Sequence, residues 1–182
     1  MSQADLKHQF QLWWFKRTGK SVEQERTFTT VKKAHRMGVL YRADVEHSEQ
    51  LMRKVETWAE KHNIRMLAMG FVREKELSGA YTPHRYSDFY CLKHLDRFGL
   101  PLETEFVRFS GEDMDYLLNL YCEPDVALMG VSAFSNARFR IGPHLPEYQF
   151  CFDAMINCKD QNVMTFADEV LTFLTKFGDG TI

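Results

Sequence analysis

Residues 115–157 constrain the fold more than any other stretch of this chain. They contain Asp115-Tyr-Leu-Leu-Asn-Leu-Tyr-Cys122, then Glu123-Pro-Asp-Val-Ala-Leu-Met-Gly-Val-Ser132, then Ala137-Arg-Phe-Arg-Ile-Gly-Pro143, then Phe150-Cys-Phe-Asp-Ala-Met-Ile-Asn157. A short, almost unbroken apolar run is the pattern of a strand covered on both faces. Pro124 suits the first turn of a helix, where its missing N–H costs nothing. The two later apolar segments read as strands over 137–141 and 149–157. Strand, helix, strand, strand in this order predicts an open α/β sheet.

The upstream half repeats the theme. Residues 37–42 read as a first strand, and Asp44 is placed to cap the helix that follows. In that helix Leu51, Val55, Trp58 and Ala59 recur at helical spacing, with Glu49, Arg53, Lys54, Glu56 and Glu60 on the other side. Residues 64–72 are the second strand, so the unit is β-α-β with a parallel pair. A polar loop spans 73–85, with Gly79 and Pro83. A short strand follows over 86–92 and a short helix over 102–109. The last helix spans 164–177. The whole order predicts a Rossmann-like three-layer α/β/α sandwich of five or six mostly parallel strands. Residues 35–182 are expected to form that domain.

Residues 1–34 differ in character. Leu6, Phe10, Trp13 and Trp14 recur at one helical face over about 4–17, and Thr18-Gly19 stops the helix. A polar, extended connector follows. Residues 1–40 carry eight Lys/Arg and three acids, a charge of +5. The remainder carries 15 bases against 22 acids, a charge of −7. A basic amphipathic arm on an acidic body suits an anionic or protein partner, and it also suits an arm lying on its own domain. Trp13, Trp14 and Phe15 beside Lys16, Arg17 and Lys20 fit RNA, a membrane surface or a groove on a protein.

Several chemistries are excluded by motif. The first strand is followed by Tyr41-Arg-Ala-Asp-Val-Glu46, not by a glycine-rich phosphate cradle, and no Walker-type loop is present. No cofactor is therefore expected. The seven histidines form no metal-ligand spacing, and no nucleophile elbow is present, so neither a metal nor a catalytic residue is assigned. His84 sits in a polar loop and is a surface histidine or part of a flap. The four cysteines, Cys91, Cys122, Cys151 and Cys158, form no Cys-x-x-Cys pair and read as reduced thiols of the core. No apolar run approaches the ~20 residues a spanning helix needs. Asp5, Lys7 and His8 interrupt the N-terminus, so no signal peptide is read there, and a cytoplasmic location is expected.

Ligands of open α/β sheets sit at the carboxyl ends of the strands. Arg42, Arg73 and Asn119 are the candidate ligand residues there. Arg138 and Arg140 alternate onto one strand face and form a second candidate pair for an anion, or else the charged face of an edge strand.

The segments 115–121, Ser135-Asn-Ala-Arg-Phe-Arg-Ile-Gly142 and Phe152-Asp-Ala-Met-Ile156 resemble an uncharacterised protein family from Bacteroidota, over about residues 35–177. A weaker resemblance is to the N-terminal domain of heptosyltransferase-type glycosyltransferases, which carry a similar strand and a basic segment ending Arg-Ile-Gly. That resemblance implies an acceptor-holding half-domain without its donor half. Together these features lead to the expectation of a non-catalytic binding or adaptor protein, docked through its arm to a protein, RNA or membrane assembly. Double-stranded DNA is not an expected partner. The alternatives are a glycosyltransferase-like or phosphosugar-acting enzyme and a structural subunit of a larger complex.

Overall fold

Every strand pairing in the sheet is parallel. The computed structural model describes residues 3–18, 26–83, 86–97, 99, 102 and 104–178. Among these, β1 (Arg36–Arg42), β2 (Arg65–Val72), β3 (Ser87–Cys91), β4 (Tyr116–Leu120), β5 (Phe139–Pro143) and β6 (Ala154–Ile156) form one six-stranded sheet. The spatial order is β3-β2-β1-β4-β5-β6. The expected Rossmann-like α/β class is the observed one. From β1 the chain steps outward to β3, then returns to lay β4 on the other side of β1. The direction of winding reverses between β1 and β4, and a cleft opens beyond the carboxyl ends of those two strands.

Among the described residues five helices accompany the sheet: α1 (Gln3–Thr18), α2 (Ser48–Lys61), α3 (Thr104–Gly111), α4 (Val126–Phe134) and α5 (Val163–Gly178). One sheet face carries Met37, Val39 and Tyr41 of β1 with Tyr116, Leu118 and Leu120 of β4. It packs on Leu51, Val55 and Ala59 of α2 and on Phe166, Val170 and Leu174 of α5. The opposite face carries Leu40, Met69, Phe71 and Leu117 and packs on Phe109 of α3 and Leu128, Met129 and Val131 of α4. Odd and even positions of one strand thus enter different cores, which is why β1 and β4 read as continuous apolar runs. Burying each large side chain stabilises the fold by up to roughly 1.5–3 kcal/mol. Close packing also explains two glycines. A Cβ at Gly38 would strike the Met114 sulfur, and one at Gly142 would strike the Phe152 ring.

Several boundaries differ from the sequence reading. Asp44 does not cap α2, which starts at Ser48 with His47 in left-handed conformation and no side-chain cap. Asp44 instead takes charge-assisted hydrogen bonds from arginine, which are stronger than an N-cap. Pro124 lies just outside α4, because Asp125 is the N-cap and its carboxylate accepts the Ala127 N–H at 3.1 Å. The strand expected over 137–141 is shifted to Phe139–Pro143, since Ser135 Oγ accepts the Ala137 N–H in a local turn. It is not an edge strand, because β6 pairs beyond it. Only 154–156 of the segment 149–157 is strand; Pro146–Cys151 is a 3-10 turn.

The reading of all four cysteines as reduced thiols is corrected for two of them. Cys122, after β4, and Cys158, before α5, form a disulfide with Cα atoms 5.7 Å apart. Their 36-residue separation hid the pairing, because the strands that bring them together are set by topology. Cys91 and Cys151 are free and buried, and burial pushes the Cys151 thiol up to about 12.

The described part of the connector is built into the domain. Val31 and Ala34 are buried in the α2/α5 core. Phe28 sits among Phe139, Phe173 and Phe177, edge-on to Phe139 at 5.0 Å between ring centroids. The Arg26 guanidinium donates to the Ala137 and Ser135 carbonyls, and the Tyr116 hydroxyl donates to the Thr29 carbonyl. Helix α1 lies against α4. Gln11 is buried on the inner side, Leu12 packs on the α4 core, and the Tyr148 hydroxyl lies 3.3 Å from His8 Nε2.

Candidate functional site

The reversal point between β1 and β4 holds a cavity of about 450 Å³. Arg42 closes β1, Arg73 follows β2, and Leu120 to Asp125 lead from β4 into α4. Residues 160–164, at the start of α5, form the facing wall. Leu51, Val163 and Met164 supply apolar surface, while arginines and carboxylates supply the rest.

Asp125 organises the charge. Its side chain is only 6% exposed. One oxygen caps α4, and the other accepts from Arg42 Nη1 at 3.3 Å and Arg73 Nη2 at 3.0 Å. Arg42 also grips Asp44 bidentately, Nε to Oδ1 and Nη2 to Oδ2, each at 2.8 Å. The Arg73 backbone N–H donates to the same Asp44 at 2.8 Å. Burial alone would raise the Asp44 carboxyl. Hydrogen bonds from Arg42 and from the Arg73 N–H, with the Arg42 charge, outweigh it and hold the pKa below its ordinary value. Burial likewise disfavours the Arg42 charge, but Asp44 and Asp125 overcome it and raise that pKa.

The structure therefore brings Arg42 and Arg73 together, as their strand positions suggest, but gives them carboxylates of this chain as partners. Asp44, which also stands at the carboxyl end of β1 in the sequence, is their partner there, and Asp125 was missing from the sequence-based site. Asp125 carried a usable signal, an Asp immediately before an apolar helical run. We expect Asp125→Ala to lower stability by about 2–3 kcal/mol, roughly 1 for the cap and the rest for the hydrogen bond to Arg42 and the charge it leaves unpaired. The exposed Arg73 contact adds little. Urea denaturation checks this, with Asp125→Asn expected to keep much of the cap.

The other candidates lie elsewhere. Asn119 is fully buried in β4, where its Nδ2 donates to the Ile141 carbonyl at 3.0 Å, so it presents nothing to a ligand. Arg138 is exposed and pairs with Asp113 at 3.6 Å. Arg140 is buried under the sheet, gripped by Asp153 through Nε at 3.1 Å and Nη2 at 3.0 Å. The proposed Arg138–Arg140 anion pair is thus divided between two separate carboxylates. On the arm, Trp13 is exposed, Lys16 Nζ stands 5.9 Å over the Phe150 ring, and Arg17 stands 5.5 Å over Trp13. The side chains of Trp14 and Phe15, together with Lys20 and His84, lie outside the described residues.

Among the described residues no group of His, Cys, Asp or Glu side chains is placed to hold a metal, and no helix is long and apolar enough to cross a membrane. Only the Tyr90 hydroxyl is a buried side-chain polar atom without a hydrogen-bond partner among them. Tyr90 stacks 4.9 Å from Phe71 and does not line the cavity.

Strand order, the cleft at the winding reversal and a charged lining without a glycine cradle define a doubly wound α/β protein. Residues 7–177 match the Family of unknown function DUF6913, and the chain belongs to that family. No curated protein and no solved structure matches it.

Proposed function

We propose that this is a non-catalytic binding protein that docks to a protein partner through the outward face of α1. The observation that carries this reading is the exposure of Leu6, Phe10 and Trp13, at 51%, 41% and 53%, on a helix whose other side rests on α4. Their spacing, i, i+4 and i+7, is that of a helix anchoring itself in a groove. Aromatic residues beside arginine are the usual energetic centres of such contacts. Lys16 and Arg17 in the last turn favour a groove with an acidic rim.

Two other partners are weaker fits. Membrane binding scales with buried apolar area, and three half-covered side chains offer little of it. The body beyond residue 40 carries −7, which repels both an anionic bilayer and RNA. The rival enzyme reading needs arginines free for a phosphate or a nucleotide sugar. Arg42, Arg73, Arg138 and Arg140 each already face a carboxylate. We place the protein in the cytoplasm, where Cys122–Cys158 would be a transient rather than a permanent bond.

Trp13→Asp tests the reading. We expect it to leave the melting temperature of the purified protein within about 2 °C, as a surface change should. We also expect it to abolish co-purification of the partner from the native host. Retained co-purification defeats the docking surface. RNase-sensitive recovery, or flotation of the wild type with anionic vesicles, would move the assignment to RNA or to lipid.

A further inference from the structure

The cleft at the winding reversal has a use separate from the arm. We propose that it is a binding site for a small organic ammonium ligand, with the shared recognition chemistry of a primary amine on an apolar stem. Its lining sets Arg42 and Arg73 against Glu46, Glu123, Asp125 and Asp160, an excess of two negative charges. Asp44 lies directly behind Arg42 and adds a third. Arg42 spends its Nε and both terminal nitrogens on Asp44 and Asp125. Carboxylates collected in a concave, partly apolar wall focus a negative potential outward and raise the local concentration of cations.

Helix ends point the other way and have to be weighed. The first turns of α2, α4 and α5 all border the cleft, and a helix N-terminus attracts anions. Two of the three ends are already satisfied from within. Asp125 caps α4, and Asn162 Oδ1 accepts the Met164 and Thr165 N–H groups at 2.9 and 3.2 Å. At the third, Glu46 stands in the lining and Glu49 in the first turn of α2. The chain has supplied its own anions where a phosphate would sit, and at the rim Glu46 (beside His47), Glu123 and Asp160 outnumber Arg73, whose guanidinium already faces Asp125. Glu123 and Asp160 are exposed, and no cation of the described residues is bridged to them, so their carboxylates are available to an incoming ammonium. Leu51, Val163 and Met164 give the stem an apolar surface, and a volume of about 450 Å³ suits a small molecule.

The facing wall is held in place. When it is closed, the Cys122–Cys158 bond ties the end of β4 to the approach to α5, and Asp160 and Gln161 both hold positive φ, at 54° and 50°. Two successive non-glycine residues in that conformation persist only where the surroundings over-determine them, and they clustered here on a cleft wall. The wall that carries Asp160 is therefore pre-organised, which lowers the cost of binding.

The test uses the full chain in low salt, by calorimetry and thermal shift. The probes are putrescine, L-leucine, inorganic phosphate, glucose 6-phosphate and UDP. We expect putrescine or L-leucine to bind and raise the melting temperature, and the three anions to have no effect. Putrescine alone indicates an alkyl di-amine; L-leucine alone indicates an α-amino acid. The double variant Glu123→Gln with Asp160→Asn changes only exposed groups, so it should fold, and it should bind the amine about tenfold more weakly or worse. The proposal is overturned by silence from both amines, by a larger response to any anion, or by an unchanged affinity in the folded double variant. Loss of partner binding in Trp13→Asp leaves these results untouched, so the two assignments fail separately.

Discussion

Asp153→Ala should cost about 3–5 kcal/mol, roughly a fifth or more of the stability of an ordinary domain. The cause is the guanidinium left behind. The Arg140 side chain is 8% exposed and that of Asp153 16%, and the pair is joined by two parallel hydrogen bonds from Nε and Nη2. The Asp153 carboxylate also accepts the Arg140 backbone N–H at 2.8 Å, while the Asp153 N–H returns a bond to the Arg140 carbonyl at 2.8 Å. Removing the carboxylate strands a buried cation whose remaining contact is the Ser132 carbonyl at 3.4 Å. Replacing both partners, Arg140→Met with Asp153→Leu, removes the charge with its counter-charge. We expect the double variant to recover most of the loss, less about 1 kcal/mol for the orphaned backbone N–H. Urea midpoints of the three proteins decide the matter. A single variant within 1 kcal/mol of wild type would show that water reaches the pair.

Breaking Cys122–Cys158 is the second large effect. Closing a loop across a 36-residue separation restricts the unfolded chain by about 3–4 kcal/mol in the chain-entropy description. Paired substitution to serine, or reduction with a dithiol, should lower stability by that order. The loss should be concentrated where β4 meets the start of α5, and amide exchange should accelerate first over 158–164. Thiol counting gives an independent reading. Protein denatured without reductant should alkylate at Cys91 and Cys151 only, and at all four cysteines after reduction. Four alkylated thiols in the unreduced sample would remove the staple from the fold. In the native protein Cys151 should stay unmodified, since burial raises its thiol to about 12 and little thiolate exists near neutral pH.

Residue patterning alone was enough for the class of this protein. Short apolar runs in 37–42 and 116–120 read as strands covered twice, and helices between the strands favour parallel pairing. Alternation along 138–141 also separated Phe139 and Ile141, which both enter the α2/α5 core, from Arg140, which does not. Strand ends supplied Arg42 and Arg73 as neighbours-to-be, because the carboxyl edge of a parallel sheet collects them.

What those arginines do was beyond reach of the pattern. Arg42 meets Asp125 across 83 residues, Arg140 meets Asp153 only through the turn before β6, and Cys122 meets Cys158 only once β5 and β6 are laid beside β4. Local periodicity reports which face a side chain takes. Its charge partner depends on which strand is placed alongside, and that follows from the winding order. The arm shows the same division: spacing puts Leu6, Phe10 and Trp13 on one side of α1, but docking on α4 decides that this side faces outward.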